Sequence, residues 1–205
     1  MKGATSAFRE KTQSPLDLFC QARPEVRGLL LATLFGALTA LSAQASIRLP
    51  FSPVPITGQV FMVLLAGGLL GPKLGVVSQV EYLALGTAGL PVFAGGTGGP
   101  LAFAGPTGGY LIGFVAAAWA VGRIIGQSKG WARIFCANLA GLIIIYLLGA
   151  AWLLLHPPVS GNIARALQFG VAPFILVDLV KVFAATQIIR SLRYRIPLAC
   201  VGDKK

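Results

Sequence analysis

Apolar positions along this chain fall into six runs, separated by short segments rich in glycine, proline or basic residues. The runs extend approximately from Gly28 to Ile47, Thr57 to Leu70, Gly75 to Leu90, Gly108 to Ile125, Phe135 to Leu155 and Phe169 to Ile189. A helix needs about 20 predominantly apolar residues to cross the hydrocarbon core of a bilayer, so each run is read as a membrane helix. The second and third are short and join through Gly71, Pro72 and Lys73, which leaves a kinked or re-entrant pair as an alternative. The pattern predicts an all-α integral membrane protein, a six-transmembrane-helix bundle over residues 28–190. A segment of residues 1–27 precedes it and a basic tail, 191–205, follows.

Between the third and fourth runs lies LGTAGLPVFAGGTGGPLAFAGPTGGYLIGF, Leu85 to Phe114, crowded with glycine and proline and free of charge. A solvated loop of that length would carry charged residues. Here the sequence predicts an ordered Gly/Pro-rich outer loop, irregular backbone packed within the protein.

Basic residues decide the orientation, because Lys and Arg near span ends collect on the cytoplasmic side. Lys2, Arg9, Lys11, Arg23 and Arg27 precede the first run, and Arg190, Arg193, Arg195, Lys204 and Lys205 follow the last. Lys73 falls in the second connection and Arg123, Lys129 and Arg133 in the fourth, whereas the opposite side holds only Arg48 and Arg165. Both termini are therefore predicted to be cytoplasmic in a multi-pass protein of the cell (inner) membrane.

Composition agrees: 56% of the 205 residues are apolar and only 11% charged, a balance outside that of soluble domains. The net charge of +11 follows from the topological bias and suits anionic lipid. Aromatics are not interleaved with the basic residues, so nucleic-acid binding is not invoked. The first 27 residues lack the apolar core of a cleaved signal peptide; Ser14, Pro15 and Asp17 read as the cap and first turn of a short surface helix, and Pro24 with Glu25 as the start of the first span. Cys20, Cys136 and Cys200 are scattered and His156 is the single histidine. That distribution argues against a disulfide framework and against an ordinary metal site.

Chemistry concentrates in the last run, PFILVDLVKVFAATQII, where Asp178 and Lys181 are expected near mid-membrane. Each charge there would cost about 2.5–3.5 kcal/mol on insertion scales. Three residues apart, they share one helix face, which must look into the protein. One reading is mutual neutralisation that pins the helix; the other is an acceptor and a donor side by side, suited to a neutral ligand offering N–H groups and a carbonyl. Gln79 and Tyr82 share a face of the third run, Gln79 as an interhelical hydrogen bond or a ligand contact, Tyr82 as a cavity wall with a polar tip. Ala32, Gly36 and Ala40 form a small-residue ridge on the first helix, fit either for internal packing or for docking a partner. Arg48 follows the first run, ahead of the proline-stiffened LPFSPVPITGQ, and is a solvated charge or a carboxylate partner at the mouth of a pocket. No G-x-x-x-x-G-K-[ST] occurs, and no nucleophile with a base is evident, so ATP hydrolysis and catalysis are not expected of this chain.

FSPVPITGQVFMVLLAGGLLGPKLG (Phe51 to Gly75), GLPVFAGG (Gly89 to Gly96), GPTGGYLIGF (Gly105 to Phe114) and the pair Asp178 and Lys181, in that order, resemble the BioY family, the biotin-specific substrate-binding components of energy-coupling-factor (ECF) transporters. The likeness runs from about Gly28 to Ile189. It implies a six-helix membrane protein that holds biotin on its outer side, without a cofactor. A transmembrane coupling (T) component and two ATPase subunits would be its partners, with the ridge Ala32, Gly36 and Ala40 as docking face. Biotin's ureido group would meet Asp178 and Lys181 through charge-assisted hydrogen bonds, and Phe93 and Tyr82 would wall the thiophane ring and valerate chain. Some family members carry an amide residue where this chain has Gly95, so that ureido contact would pass to Gln79 or a backbone N–H. Two other classes compete: a stand-alone proton-coupled carrier of a small ureido or carboxylate compound, with Asp178 as relay, and an intramembrane enzyme.

Overall fold

The computed structural model describes residues 23–157 and 159–195; the expected surface helix at Ser14 to Asp17, Cys20 and Cys200 lie outside them. Helix α1 spans Pro24–Gln44, and Pro24 sits in its first turn, where a missing N–H leaves no bond unmade. Two-residue strands β1 (Ser46–Ile47) and β2 (Ile56–Thr57) pair antiparallel, Ser46 opposite Thr57. There follow α2 (Gln59–Thr87), the four-residue α3 (Pro100–Phe103), α4 (Gly108–Ile125), α5 (Trp131–Leu153), α6 (Ile163–Gly170) and α7 (Ile175–Arg195). Among the described residues, α1, α2, α4 and α5 are long and apolar enough to cross a membrane, and α6 with α7 would make a fifth span bent by 55°.

The second and third apolar runs thus form one helical stretch, but it is not straight. Gly71 has φ 82° and ψ −179°, outside the helical region, and Pro72 follows. The chain reverses there. A Cβ placed on Gly75 would lie 3.1 Å from the Gly67 Cα, and Gln59 Nε2 donates to the Tyr82 hydroxyl at 2.6 Å. In a continuous helix those two residues would stand about 35 Å apart. Helix α2 is a hairpin of two halves, 59–70 and 72–87, the kinked pair that the sequence left open.

The ridge of α1 packs inside the protein. Ala32 is fully buried, Gly28 lies against Leu74, and a Cβ on Gly36 would come within 2.9 Å of the Ser78 carbonyl oxygen. Small residues at four-residue spacing let α1 and the second half of α2 approach backbone to backbone. This corrects the expectation of a partner-docking face at Ala32, Gly36 and Ala40: Ala32 and Gly36 are covered by α2 and Ala40 is half-buried. The exposed face of α1 carries Leu29, Leu30, Leu34 and Leu41 instead.

Irregular segments collect at one end of the bundle. Gln44 Nε2 donates to the Pro91 carbonyl (3.3 Å), Ser52 Oγ to the Phe169 carbonyl (2.7 Å) and Trp152 Nε1 to the Gly105 carbonyl (3.0 Å). At the other end the buried Arg193 donates from Nε to the Gly68 carbonyl at 2.9 Å and from Nη1 to the Gly126 and Ser128 carbonyls at 2.8 and 3.2 Å. It joins the α2 hairpin, the end of α4 and the end of α7. Leu64, Val121, Ile134, Ile145, Val182 and Ile189 fill the core between, while Leu41, Leu147, Leu176 and Val180 project outward, each more than 60% exposed. An apolar rim of that kind suits lipid rather than water.

Candidate ligand-binding site

At the irregular end lies an open-mouthed cavity lined by 17 residues, most of them apolar. Besides Thr107 and Tyr110 at the start of α4, four parts of the chain bring polar groups to it. The Pro-rich segment contributes Thr57, the first turn of α2 Gln59, α5 Tyr146, and α7 Asp178 with Lys181. Val60, Phe93, Leu111, Phe114, Ile145 and Phe174 supply most of the apolar wall.

Asp178 and Lys181 come together here. Lys181 Nζ donates to Asp178 Oδ1 at 2.6 Å and to the Thr57 carbonyl at 2.6 Å, while the Tyr146 hydroxyl donates to Asp178 Oδ2 at 2.7 Å. Thr57 Oγ1 donates to Gln59 Oε1 (2.9 Å), and Gln59 Nε2 donates to the Tyr82 hydroxyl. Five residues beyond Asp178 itself, Lys181, Thr57, Gln59, Tyr82 and Tyr146, are thus joined to it in one hydrogen-bonded arc. Side chains in such an arc lock one another's orientation.

The pair lies near the start of its helix rather than in the middle of one long helix. The chain bends between Gly170 and Ile175, at Pro173, so α7 begins only at Ile175 and Asp178 falls in its first turn, its backbone N–H bonded to the Phe174 carbonyl. A carboxylate is favoured there by the positive end of the helix dipole. The ammonium retains donor capacity beyond its two bonds, and each carboxylate oxygen retains an acceptor site.

Of the other expected residues, Phe93 lines the cavity and is buried, packed on Gly86 and edge-to-face with Tyr82 at 5.6 Å between ring centroids. Tyr82 is fully buried one layer behind, supporting Phe93 and Gln59. Gln79 does not reach the cavity. It faces α1, where Nε2 contacts Thr39 Oγ1 at 3.4 Å and Ser78 Oγ at 3.1 Å, the interhelical alternative. Gly95 is exposed in the loop at φ +70°, and Arg48, also exposed, lies against it, Nη2 2.8 Å from where a Gly95 Cβ would stand. Neither belongs to the cavity lining.

Sequence reasoning missed Tyr146, Gln59, Thr57 and Tyr110. Tyr146 is the one hydroxyl-bearing side chain in GLIIIYLLGAAW, and Gln59 is the last polar residue before the apolar run of α2, signals comparable to those that selected Tyr82. Tyr110 lines the cavity and donates to the Gly170 carbonyl at 2.7 Å, bracing the bend that places Asp178.

Taken together, an all-helical, lipid-facing bundle with an apolar cavity and an ion pair in its wall defines a membrane protein built to hold a small ligand. The chain belongs to the BioY family, whose pattern it matches over residues 11–198. It is 47% identical over 163 residues to the probable biotin transporter BioY of Pyrococcus horikoshii, an alignment covering 80% of this chain and 93% of the relative. With the biotin transporter BioY of Rhodobacter capsulatus it shares 40% over 190 residues, 86% and 98% of the two chains. Its fold resembles the crystal structure of the S-component for biotin from an ECF-type ABC transporter, with a TM-score of 0.79 and 31% identity over 87% of this chain and 97% of that one.

Proposed function

We propose that this protein captures biotin at the outer face of the cell membrane and delivers it inward as the substrate-binding component of an ECF-type transporter. The observation that carries the reading is the Asp178–Lys181 pair, 2.6 Å apart in the wall of a largely apolar cavity. Each edge of a cyclic urea presents an N–H beside a carbonyl, so Asp178 can accept from one while Lys181 donates to the other. Both bonds would be charge-assisted. Phe93, with Phe114 and Phe174, would wall the thiophane ring and the valerate chain.

The pair favours binding over proton relay, since both carboxylate oxygens already accept hydrogen bonds, from Lys181 and Tyr146. ATP hydrolysis would reside in two partner ATPases, coupled through a transmembrane T component. Six crossings, with both termini and the Arg193 end cytoplasmic, are supported by the reversal at Gly71 and by Lys73, Arg123, Lys129 and Arg133 near that end. Residues 28–190 would form the membrane substrate-binding domain, and 1–27 and 191–205 its cytoplasmic flanks.

Equilibrium binding of labelled biotin to the purified chain in detergent tests the reading. Saturable binding without ATP or an ion gradient, displaced by dethiobiotin but not by riboflavin or thiamine, is expected. A folded, monodisperse sample that binds no biotin would overturn it.

A further inference from the structure

The polar groups of the cavity are not spread around its wall. Thr57, Gln59, Tyr146, Asp178 and Lys181 are linked by hydrogen bonds of 2.6–2.9 Å into the single arc described above. Of the other lining residues only Thr107 and Tyr110 bear polar side chains, and the Tyr110 hydroxyl is committed to the Gly170 carbonyl. Lys181 is the one cation in the lining, and Asp178 already neutralises it. A ligand whose ureido head occupies the arc therefore leaves its tail on apolar surface, with no buried cation to read a carboxylate. Outside the lining, Arg48 is exposed against Gly95 in the loop that also supplies Phe93 and Ala94 to the wall. An exposed ion pair contributes no more than about fivefold to an affinity.

We infer that the site reads the ureido end of its ligand and is indifferent to the charge at the other, so that amides of biotin, including ε-biotinyl-lysine, are ligands as well as the free acid. This rests on the biotin reading above. The reverse pose, carboxylate on Lys181, would set that carboxylate beside Asp178, where two like charges oppose each other.

The test is competition of labelled biotin with unlabelled biotin, biotin primary amide and ε-biotinyl-lysine on the full-length protein in detergent, repeated with Arg48→Ala. Both amides are expected to bind within about tenfold of biotin, and Arg48→Ala to change biotin affinity by about fivefold or less. Biotin that binds while either amide is weaker by more than about tenfold overturns the inference, as does an Arg48→Ala variant that loses more than about tenfold for biotin and nothing for the amides. Failure of biotin itself to bind the folded protein is a different result: it removes the ligand assignment, and the inference with it.

Discussion

At the scale of single residues the decisive feature is that a buried acid and a partly buried base satisfy each other and still keep capacity for a third party. Removing one partner leaves the other charge uncompensated, so Asp178→Asn and Lys181→Ala are each expected to weaken biotin binding by about 2–5 kcal/mol. Isothermal titration on monodisperse detergent samples measures this, and unchanged affinity would take the pair out of the site. The pair was legible in the sequence because charges in an apolar run are conspicuous and a spacing of three fixes a common face. Tyr146 and Gln59 were not, because nothing in their local sequence says that Tyr146 on α5 will stand 2.7 Å from Asp178 on α7. Gln79 shows the converse: a polar residue as prominent as Gln59, turned by the rotation of its helix toward Thr39 rather than the cavity.

Among the helices, close approach is what small residues contribute. Gly36→Leu would drive a side chain into the Ser78 carbonyl and is expected to destabilise the protein by about 1–3 kcal/mol, the usual cost of overpacking. Ala37→Leu, on the exposed side of the same helix, should leave the thermal midpoint nearly unchanged. Thermal unfolding followed by fluorescence-detected gel filtration distinguishes them, and equal midpoints would mean that α1 does not rest on α2 through this ridge. Sequence periodicity found the ridge but not its partner, since a helix stripe specifies what can pack and not what does. The Gly71 reversal has the same character. Gly-Pro marks a break, and whether the halves bend slightly or fold back depends on contacts such as that between Gly75 and Gly67.

For the whole molecule the arrangement has two ends with different work. One gathers the Pro-rich and Gly-rich segments over the cavity; the other is tied together by Arg193, which the sequence counted only as a topological charge. If that second end is cytoplasmic, single cysteines in a background where the three native ones are serine should report it. Ser160→Cys should react with a membrane-impermeant maleimide in intact cells, and Lys129→Cys only after permeabilisation. The reverse pattern would invert the proposed orientation and put the cavity mouth on the wrong side for capture from outside.

By itself the sequence determined the solvent of this protein and the charge bias from which its orientation is proposed: apolar runs long enough for a bilayer, basic residues biased to one set of connections, and one ion pair too costly to face lipid. These properties follow from local composition, because the free energy of placing a segment in hydrocarbon is close to a sum over its residues. Only the tertiary structure decided that α2 folds back, that the first-helix ridge is spent internally, that Asp178 sits near a helix end, and that Tyr146 and Gln59 complete the polar arc. Those depend on helix rotation and on pairings between residues up to 124 positions apart, such as Lys181 with the Thr57 carbonyl. Packing selects such pairings from many that the local pattern allows equally.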